Sequence, residues 1–273
     1  MKRILITGAA GSIGQELVRQ LGSKYFVYGL DINESGLHDI MLETNTKGRV
    51  GDIRDYDTVN DVFDDIKPHF VYHAAAYKHV PLMELTSIEA IKTNVIGTYN
   101  LIHCARRYET KKFVFISTDK AIHSNSVMGA TKRLGEIMVK NQGRGFIVVR
   151  FGNVLGSRGS VIPIWERQIN QGKPITITDP NMTRYMMTVE QAVELVIEAS
   201  KKGKGGEIMI LDMGQPVKIL DIAKQILASL GHDFNYEIIG RRPGETLHEK
   251  IMLDEEKKIA IKDGKFFIIK NGV

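Results

Sequence analysis

The sequence predicts an α/β fold in which a doubly wound parallel sheet is followed by a smaller C-terminal lobe. Short apolar runs alternate with longer segments of helical periodicity over the first 151 residues, which is typical of strands connected by helices. A glycine-rich turn joins the first apolar run to the first helical segment. After Phe151 the alternation stops and glycine and proline become denser, which indicates a second lobe rich in loops.

Each apolar run bounded by polar or turn-forming residues predicts a buried strand, and apolar residues at helical spacing predict the covering helices. The predicted strands are Ile4–Thr7, Tyr25–Leu30, Phe70–Ala75, Lys112–Ser117 and Phe146–Phe151. The predicted helices are Ser12–Leu21, Val59–Ile66, Ile88–Arg107 and Val127–Lys140.

Regular patterns resume inside the second part of the chain. Helical periodicity returns at Val189–Lys201 and Ile219–Leu230, and Glu207–Leu211 has the pattern of a strand. We therefore predict a first domain over residues 1–151 and a lobe over residues 152–273. Segments at about residues 189–213 are expected to return to the first domain.

Composition excludes several classes of protein. The net charge is +5, but Lys and Arg are spread along the chain, which argues against nucleic-acid binding and suits an anionic diphosphate ligand. No apolar run is long enough to span a membrane or to form a signal peptide. Cys104 is the only cysteine, which fits a cytoplasmic protein. We predict no metal site.

The turn after the first strand has the glycine spacing G-x-x-G-x-x-G. Glycine allows close approach of the backbone to a pyrophosphate, and the following helix N-terminus supplies N–H donors. A Rossmann-type dinucleotide site is therefore predicted. Its candidate residues are Thr7, Gly8, Gly11, Ser12, Ile13 and Gly14.

An acidic residue, Asp31, ends the second predicted strand. A carboxylate at this place hydrogen-bonds the ribose hydroxyls and repels a 2′-phosphate. Because no arginine follows immediately to bind that phosphate, the sequence favours NAD over NADP. Asp52 and Ile53 follow a third possible strand and are candidates to hold the adenine, although a surface turn explains them equally well.

Several strings of residues extend this interpretation. The dinucleotide turn, the small residues Ala74, Ala75 and Ala76, Asn94 in a helix and a strand that ends in Ser117-Thr118 resemble the extended short-chain dehydrogenase/reductase superfamily. Longer strings resemble the CapD/WbpM-type polysaccharide-biosynthesis proteins over about residues 2 to 255. These strings are His73–Pro81, Ser117–Ala121, Met128–Lys132, Arg150–Val161, Met182–Thr188 and Arg242–Glu245.

The resemblance implies a UDP-N-acetylglucosamine 4,6-dehydratase, often of the C5-inverting kind, in surface-glycan biosynthesis. Such an enzyme oxidises C4, removes the C5 proton with loss of water from C6, and returns the hydride to C6. Many larger relatives carry N-terminal membrane helices, and this chain is expected to be a soluble form.

The resemblance also implies the catalytic groups. Lys120 would be the base at C5 and Asp119 the acid at C6, so the pKa of the lysine must fall and that of the aspartate must rise, as burial favours. An ion pair would oppose both shifts, and we expect the two side chains to point apart. The superfamily's usual tyrosine is replaced by Met128, so Thr118, Ser117, Asp119 or a water remain candidates to take the C4 hydroxyl proton.

The remaining roles follow from the same strings. Lys132, at i+4 from Met128, would hold the nicotinamide ribose, and Asn94 would hydrogen-bond backbone near the active strand. Trp165 and His79 are explained equally well by a substrate pocket or by packing. The candidate nucleotide-sugar contacts are Lys78, Asn153, Arg158, Arg184, Arg241 and Glu245.

Two other functions remain open. A UDP-N-acetylhexosamine epimerase acting at C2 or C4 would use the same keto chemistry, and some such relatives also carry the methionine. A non-catalytic NAD(P)-binding sensor would keep the glycine turn but tend to lose Asp119, Lys120 and Lys132. A homo-oligomer is expected, either a dimer through Ile88–Arg107 and Val127–Lys140 or a larger assembly.

Overall fold

The computed structural model, which describes residues 1–122, 125–232 and 235–270, contains the alternating strands and helices that the sequence predicts. A π-helical turn, Lys92–Gly97, joins the fifth helix to the sixth, and a 3₁₀ turn, Asp119–Ala121, follows the fifth strand. In chain order the first part consists of β1 (Arg3–Thr7), α1 (Ser12–Gly22), β2 (Phe26–Asp31), α2 (Glu34–Thr44), β3 (Lys47–Val50), α3 (Tyr56–Ile66), β4 (Phe70–His73), α4 (Val80–Leu85), α5 (Ser87–Ile91), α6 (Thr98–Arg107), β5 (Lys112–Thr118), α7 (Val127–Lys140) and β6 (Phe146–Phe151).

The second part has shorter strands. It consists of β7 (Asn153–Val154), α8 (Val161–Asn170), β8 (Ile175–Ile177), β9 (Thr183–Arg184), β10 (Met186–Met187), α9 (Val189–Lys202), β11 (Ile208–Leu211), β12 (Val217–Lys218), α10 (Ile219–Ser229), β13 (Tyr236–Ile238), α11 (Asp254–Ile259), β14 (Ile261–Asp263) and β15 (Phe266–Ile269).

Nine strands form one sheet in the order β14-β15-β11-β6-β5-β4-β1-β2-β3. The strands from β3 to β11 are parallel, and β15 and β14 extend the sheet in antiparallel fashion. The chain leaves β1 toward β2 on one side and later returns to β4 on the other side. The predicted doubly wound sheet is therefore confirmed, with its switch point between β1 and β4, where such sheets bind ligands.

Helices cover both faces of the sheet. Apolar side chains of α1, α2 and α9 form one core, including Leu17, Leu37 and Val193. Those of α3, α6 and α7 form the second core, including Phe63 and Leu101. Both α9 and β11 belong to the large sheet region, and β14 and β15 join it as well, which the sequence analysis does not predict. The division at residue 151 stays a proposal.

The second lobe has its own small core. Trp165 of α8 is buried against Ile175 and Ile177 of β8 and against Leu227 of α10. Its indole N–H donates to the Thr176 carbonyl oxygen at 2.8 Å. Trp165 thus packs in the core of the lobe and also lines the cavity that this lobe forms with the sheet, so both explanations that the sequence allows stay open.

A buried ionic cluster ties the C-terminal segment to the sheet. The guanidinium of Arg150 in β6 bonds both carboxylate oxygens of Glu136 in α7 at 2.8 Å. It also bonds Glu256 in α11 at 2.7 and 3.0 Å. Arg150 and Glu136 are fully buried, so this cluster fixes α7, β6 and α11 relative to one another.

Candidate active site

A groove of about 230 Å³ opens at the switch point, along the carboxyl ends of β1, β2 and β4. The walls of this groove, called here the dinucleotide groove, come from the glycine turn, the ends of β2 and β3, and the loop after β4. Predicted cofactor residues that line it are Gly8, Gly11, Asp31, Asp52, Ile53, Ala74, Ala75 and Ala76.

The glycine turn has no room for side chains. Gly8 has a φ of +71°, and a Cβ there would lie 2.6 Å from the Ala75 backbone nitrogen. A Cβ on Gly14 would lie 1.9 Å from the Gly8 carbonyl oxygen. These distances are shorter than van der Waals contact, so the turn brings bare backbone to the edge of the groove and starts α1 there. This is the geometry that a pyrophosphate requires.

Other predicted cofactor residues lie outside the groove walls. The prediction for Thr7 is wrong in this structure, because its side chain is fully buried and bonds His73 Nδ1 at 2.8 Å. The His73 ring bonds Thr98 on its other nitrogen, so all three side chains belong to the sheet interior. The remaining members outside the groove walls are Ser12, Ile13, Gly14, Asn94 and Lys132.

Asn94 supports the groove from beneath. Its amide accepts a hydrogen bond from the Tyr77 backbone N–H at 2.9 Å and donates to the Tyr77 carbonyl at 3.0 Å. It also donates to Thr131 of α7 at 3.0 Å. The π-helical turn around Asn94 aims its side chain at the loop after β4, in agreement with the backbone contact that the sequence analysis expects.

Arg158 lies in the dinucleotide groove rather than in the pocket expected for a sugar nucleotide. Its backbone N–H donates to the Ser12 side chain at 3.0 Å. Its guanidinium lies 3.3 Å from the place that a Cβ on Gly36 would take, beside Asp31 and Asn33. The contact of Arg158 with the nucleotide sugar stays a prediction, and in this structure the second lobe supplies the dinucleotide groove with an arginine that the sequence around Asp31 lacks.

A second cavity, of about 280 Å³, lies between the carboxyl end of β5 and the second lobe. Predicted substrate and catalytic residues lining it are Lys78, Asp119, Lys120, Asn153, Arg184 and Glu245. Arg241 does not line this cavity: its side chain is mostly exposed and lies 3.9 Å from Asp179. Arg242, the next residue, lines the cavity instead.

Asp119 and Lys120 contact each other directly. Lys120 Nζ lies 3.0 Å from Asp119 Oδ1, and the expectation that these side chains point apart is therefore wrong. The 3₁₀ turn that follows β5 brings them together: Thr118 accepts from the Lys120 backbone N–H and donates to Asp119 Oδ1 at 2.9 Å. The other carboxyl oxygen, Asp119 Oδ2, is buried and has no donor among the described residues.

Glu249 completes this cluster, and the sequence analysis does not identify it. Its carboxylate lies 3.0 Å from Lys120 Nζ, accepts from Asn153 Nδ2 at 3.2 Å, and lies 3.3 Å from Arg184 Nε. Glu249 lies 129 residues from Lys120 along the chain. Its only signal in the sequence is a position four residues after Glu245, just beyond the recognised string.

The charges in this cluster separate the pKa values of its carboxyl groups. Burial, followed by the negative charge of Glu249, raises the pKa of Asp119 to about 7, although Lys120 opposes this. Burial also raises the pKa of Glu249, but Lys120, Asp119 and Arg184 outweigh it and lower the value to about 2. Asp119 is thus suited to carry a proton near neutral pH, as the expected acid must.

The pKa of Lys120 is shifted in the direction opposite to the one that its expected role requires. Burial lowers its pKa, but Asp119 and Glu249 outweigh burial and raise it. The resting state of Lys120 is therefore a cation, whereas the expected C5 base must be neutral. Lys78 lines the same cavity, and burial followed by the charge of Lys120 lowers its pKa.

Arg184 offers no free fork to a diphosphate. Its guanidinium donates to the carbonyl oxygens of Thr183, Thr246 and Leu247, in addition to the contact with Glu249. Three of its five N–H groups are thereby engaged, and its Nε lies 3.3 Å from Glu249 Oε1. Its geometry supports a role in holding the segment around Glu249 in place rather than the substrate contact that the sequence analysis expects.

Met128 and Lys132 lie on the buried side of α7. Met128 packs against Met83 and Ala90. Lys132 Nζ donates to the Ile116 carbonyl at 2.6 Å and lies 4.0 Å from the Phe115 ring centroid. Burial lowers the pKa of Lys132 to about 7, although Glu136 opposes it.

The described residues also bear on the expectations about membrane helices and metal sites. Among the described residues, no helix is long and apolar enough to cross a membrane. Within the same residues, no group of three or more His, Cys, Asp or Glu side chains is arranged to hold a metal ion. The cytoplasmic location and the absence of nucleic-acid partners stay predictions.

Comparison with known proteins agrees with this architecture. The structure superposes on Pen from Bacillus thuringiensis with a TM-score of 0.91 at 36% identity, covering 98% of this chain and 88% of the other. The capsular polysaccharide biosynthesis protein CapD of Staphylococcus aureus is 45% identical over 93% of this chain, but the match spans only 46% of CapD. A UDP-glucose 4-epimerase of Rickettsia bellii is 33% identical, covering 98% of this chain and 82% of the other.

The chain thus spans less than half of the length of the CapD relative. A family model described as polysaccharide biosynthesis protein matches residues 4–271, which includes every element of the large sheet except the first residue of β1. This chain therefore belongs to the polysaccharide biosynthesis protein family.

Proposed function

We propose that this protein is an NAD(P)-dependent 4,6-dehydratase that acts on UDP-N-acetylglucosamine in the biosynthesis of a surface polysaccharide. The observation that carries the proposal is the pair Asp119 and Lys120 at the end of β5, in the wall of the larger cavity. The dinucleotide groove lies at the ends of the neighbouring strands β4 and β1, so both ligands would meet at one edge of the sheet.

The dinucleotide groove fits NAD(P). Its glycine turn presents backbone N–H groups to a pyrophosphate, and Asp31 stands where a ribose would lie. The Asp31 carboxylate is oriented by the N–H groups of Ala10 and Asn33, both at 2.8 Å. Bound NAD(P) would supply the hydride chemistry at C4 and C6 of the sugar.

Arg158 changes the balance between the two cofactors. The preference for NAD rested on the absence of an arginine near Asp31, and Arg158 now occupies that neighbourhood. A guanidinium suits a 2′-phosphate because it donates two parallel hydrogen bonds. Calorimetric titration of both cofactors tests this: Arg158→Ala is expected to weaken NADP about tenfold more than NAD. Equal losses would contradict the role.

The sugar chemistry falls to the Asp119–Lys120 pair. Lys120 would take the C5 proton, and Asp119 would give a proton to the C6 oxygen as water leaves. The unpartnered Asp119 Oδ2 is the atom from which that proton would pass, because nothing in the described residues donates to it. The group that takes the C4 hydroxyl proton stays open between Thr118, Ser117, Asp119 and a water.

Product analysis tests this function directly. The purified chain is incubated with UDP-N-acetylglucosamine and each cofactor, and the products are identified by mass spectrometry and NMR. A dehydratase gives a 4-keto-6-deoxy sugar that has lost one water, and Lys120→Met abolishes its formation. A product of unchanged mass with an inverted hydroxyl would support an epimerase instead, which the identity to a UDP-glucose 4-epimerase favours as the second candidate. If the protein binds the cofactor but makes neither product, the result would support the non-catalytic NAD(P)-binding sensor.

We also propose a homodimer. The helices α5, α6 and α7 and the π-helical turn between α5 and α6 carry several exposed apolar side chains, which supports a contact with a second copy of this chain. An exposed Leu134 lies at the centre of the α7 face, and size-exclusion chromatography with light scattering of Leu134→Glu tests the contact. A monomeric variant is expected, and an unchanged mass would contradict it. The exposed apolar residues are Ile88, Ile91, Ile96, Tyr99, Leu134 and Ile137.

A further inference from the structure

Glu249 connects the two lobes at the place where the proposed chemistry occurs. It belongs to the segment between β13 and α11, whereas Lys120 follows β5 of the large sheet. The carboxylate of Glu249 and the amide of Asn153 both bond Lys120 Nζ, and they also bond each other. Lys120 therefore has three acceptors, two of them charged, and all are positioned by buried or half-buried backbone.

Arg184 fixes Glu249 in turn. Its guanidinium donates to the carbonyl oxygens of Thr246 and Leu247, just before Glu249, and its Nε lies 3.3 Å from the Glu249 carboxylate. The side chains of Arg184 and Glu249 are 8% and 6% exposed. A buried carboxylate held between two cations stays ionised, so Glu249 is a permanent negative charge at 3.0 Å from Lys120.

This charge acts on two groups at once. The resting pair is an aspartate and a lysine cation, and the reactive pair is a protonated aspartate and a neutral lysine. Both states contain one proton in total, and they differ in whether that proton lies on Lys120 Nζ or on the Asp119 carboxyl, whose Oδ1 is 3.0 Å from Nζ. The pair cannot supply an acid and a base together when it holds two protons or none. A neighbouring negative charge makes every loss of a proton harder, so it moves both limits to higher pH.

We propose that Glu249 is a positioning residue whose negative charge, 3.0 Å from Lys120, moves the pH range in which the Asp119–Lys120 pair holds one proton to higher pH and thereby sets the range in which the site works. The proposal rests on the dehydratase function proposed above. Glu249 does not take the sugar's proton, because Lys120 and Arg184 hold it ionised. It acts through the pair, and its charge is the property that matters.

Other charges around the pair are accounted for. Lys78, from the loop after β4, is the nearest additional cation and opposes Glu249. Glu245 lies 3.9 Å from Arg184 and contributes a second, more distant negative charge. The remaining titratable or charged side chains that line the cavity are His79, Arg242, His248 and Lys250. Among the described residues, none of these four forms a hydrogen bond or an ion pair with Asp119 or Lys120, whereas the Glu249 carboxylate lies 3.0 Å from Lys120 Nζ.

The test compares Glu249→Gln with Glu249→Asp and with Glu255→Gln. Glutamine keeps the shape and one acceptor oxygen but removes the charge, whereas aspartate keeps the charge and both acceptor oxygens. Glu255 is an exposed carboxylate on α11 and serves as the control. The first readout is the pH dependence of kcat for UDP-N-acetylglucosamine. In Glu249→Gln both limbs of the profile are expected to move to lower pH by about 1–3 units, the usual effect of a charge at this distance.

Glu249→Asp and Glu255→Gln are expected to keep the wild-type limbs. A uniform loss of kcat in Glu249→Gln with unmoved limbs would mean a structural role only and would overturn the proposal. So would a shift of equal size in Glu255→Gln.

A second readout needs no reaction. Carbon-13 NMR of the carboxyl groups in the free wild-type protein is expected to show Asp119 titrating near neutral pH while Glu249 stays ionised. The reverse order would overturn the proposal even if Glu249→Gln does not fold. If the wild type makes no dehydration product, the proposed function fails, and this titration alone decides the role of Glu249.

Discussion

Removal of the Arg150 side chain should show how strongly the buried ionic cluster holds the C-terminal segment to the sheet. In Arg150→Met the methionine fills much of the space but leaves Glu136 and Glu256 without the four hydrogen bonds that Arg150 donates to them. Breaking a buried ion pair by removing one partner costs about 3–5 kcal/mol. For a protein of this size that free energy corresponds to a fall in Tm of about 6–20 °C.

The loss of unfolding free energy in Arg150→Met should depend on pH. Burial raises the pKa of Glu136 and Glu256, but Arg150 outweighs burial, so both pKa values lie below 4.5 in the wild type. The wild type therefore gains stability from this cluster above pH 4.5 and loses it as the pH falls through the lowered values. In the variant Arg150 no longer opposes the effect of burial, so the pKa values of Glu136 and Glu256 rise. Protonation of these carboxylates at lower pH then removes the cost of burying their charges. The difference in unfolding free energy between the two proteins should be larger at pH 7 than at pH 4.5.

Urea denaturation at both pH values measures this difference, and Arg106→Met, which removes an exposed arginine of α6, is the control. The control should change the unfolding free energy by less than about 0.5 kcal/mol. A loss below about 1 kcal/mol in Arg150→Met at pH 7, or a gap that widens toward pH 4.5, would refute the reasoning.

Two further predictions concern the cofactor side of the site. Gly14→Ala would place its Cβ 1.9 Å from the Gly8 carbonyl oxygen, so the turn must open and the affinity for NAD(P) should fall at least about tenfold by calorimetry; unchanged affinity would contradict this. Lys132 has a pKa lowered by burial to about 7 from 10.5, so folding is opposed below that range and wild-type stability should rise between pH 7 and pH 10. Lys132→Met should lack this rise in thermal melts, and parallel curves for the two proteins would argue against a depressed pKa.

Local patterns in the sequence predict the large sheet well. The strands β1, β2, β4, β5 and β6 are short apolar runs, and the helices α1, α3 and α7 have clear apolar faces, so periodicity locates them within about three residues. The single helix predicted over Ile88–Arg107 is wrong in its continuity, because the structure divides it into α5, the π-helical turn and α6. Helix α2 is not predicted from the sequence because it buries few side chains, among them Leu37 and Ile40. Strands β14 and β15 are not predicted because they follow a loop-rich lobe, and β15, which carries β14 on its other side, pairs with β11 across a long stretch of chain.

The site is predicted only where its residues belong to a local motif. Asp119 and Lys120 are identified from their string, but neither their contact nor the presence of Glu249 follows from it. The place of Arg158 in the dinucleotide groove is missed for the same reason, since it reaches the glycine turn from 146 residues away. Such contacts depend on how the second lobe packs on the sheet, and the spacing of residues in a sequence carries no direct information about that packing.

The most direct test of the central claim, that Asp119 and Lys120 act at C5 and C6 of a sugar, is the reaction of UDP-N-acetylglucosamine in heavy water. The account predicts a 4-keto-6-deoxy product with one solvent deuterium at C5, and no such product from Lys120→Met. A product without deuterium at C5, or the same labelled product at the same rate from Lys120→Met, would contradict it.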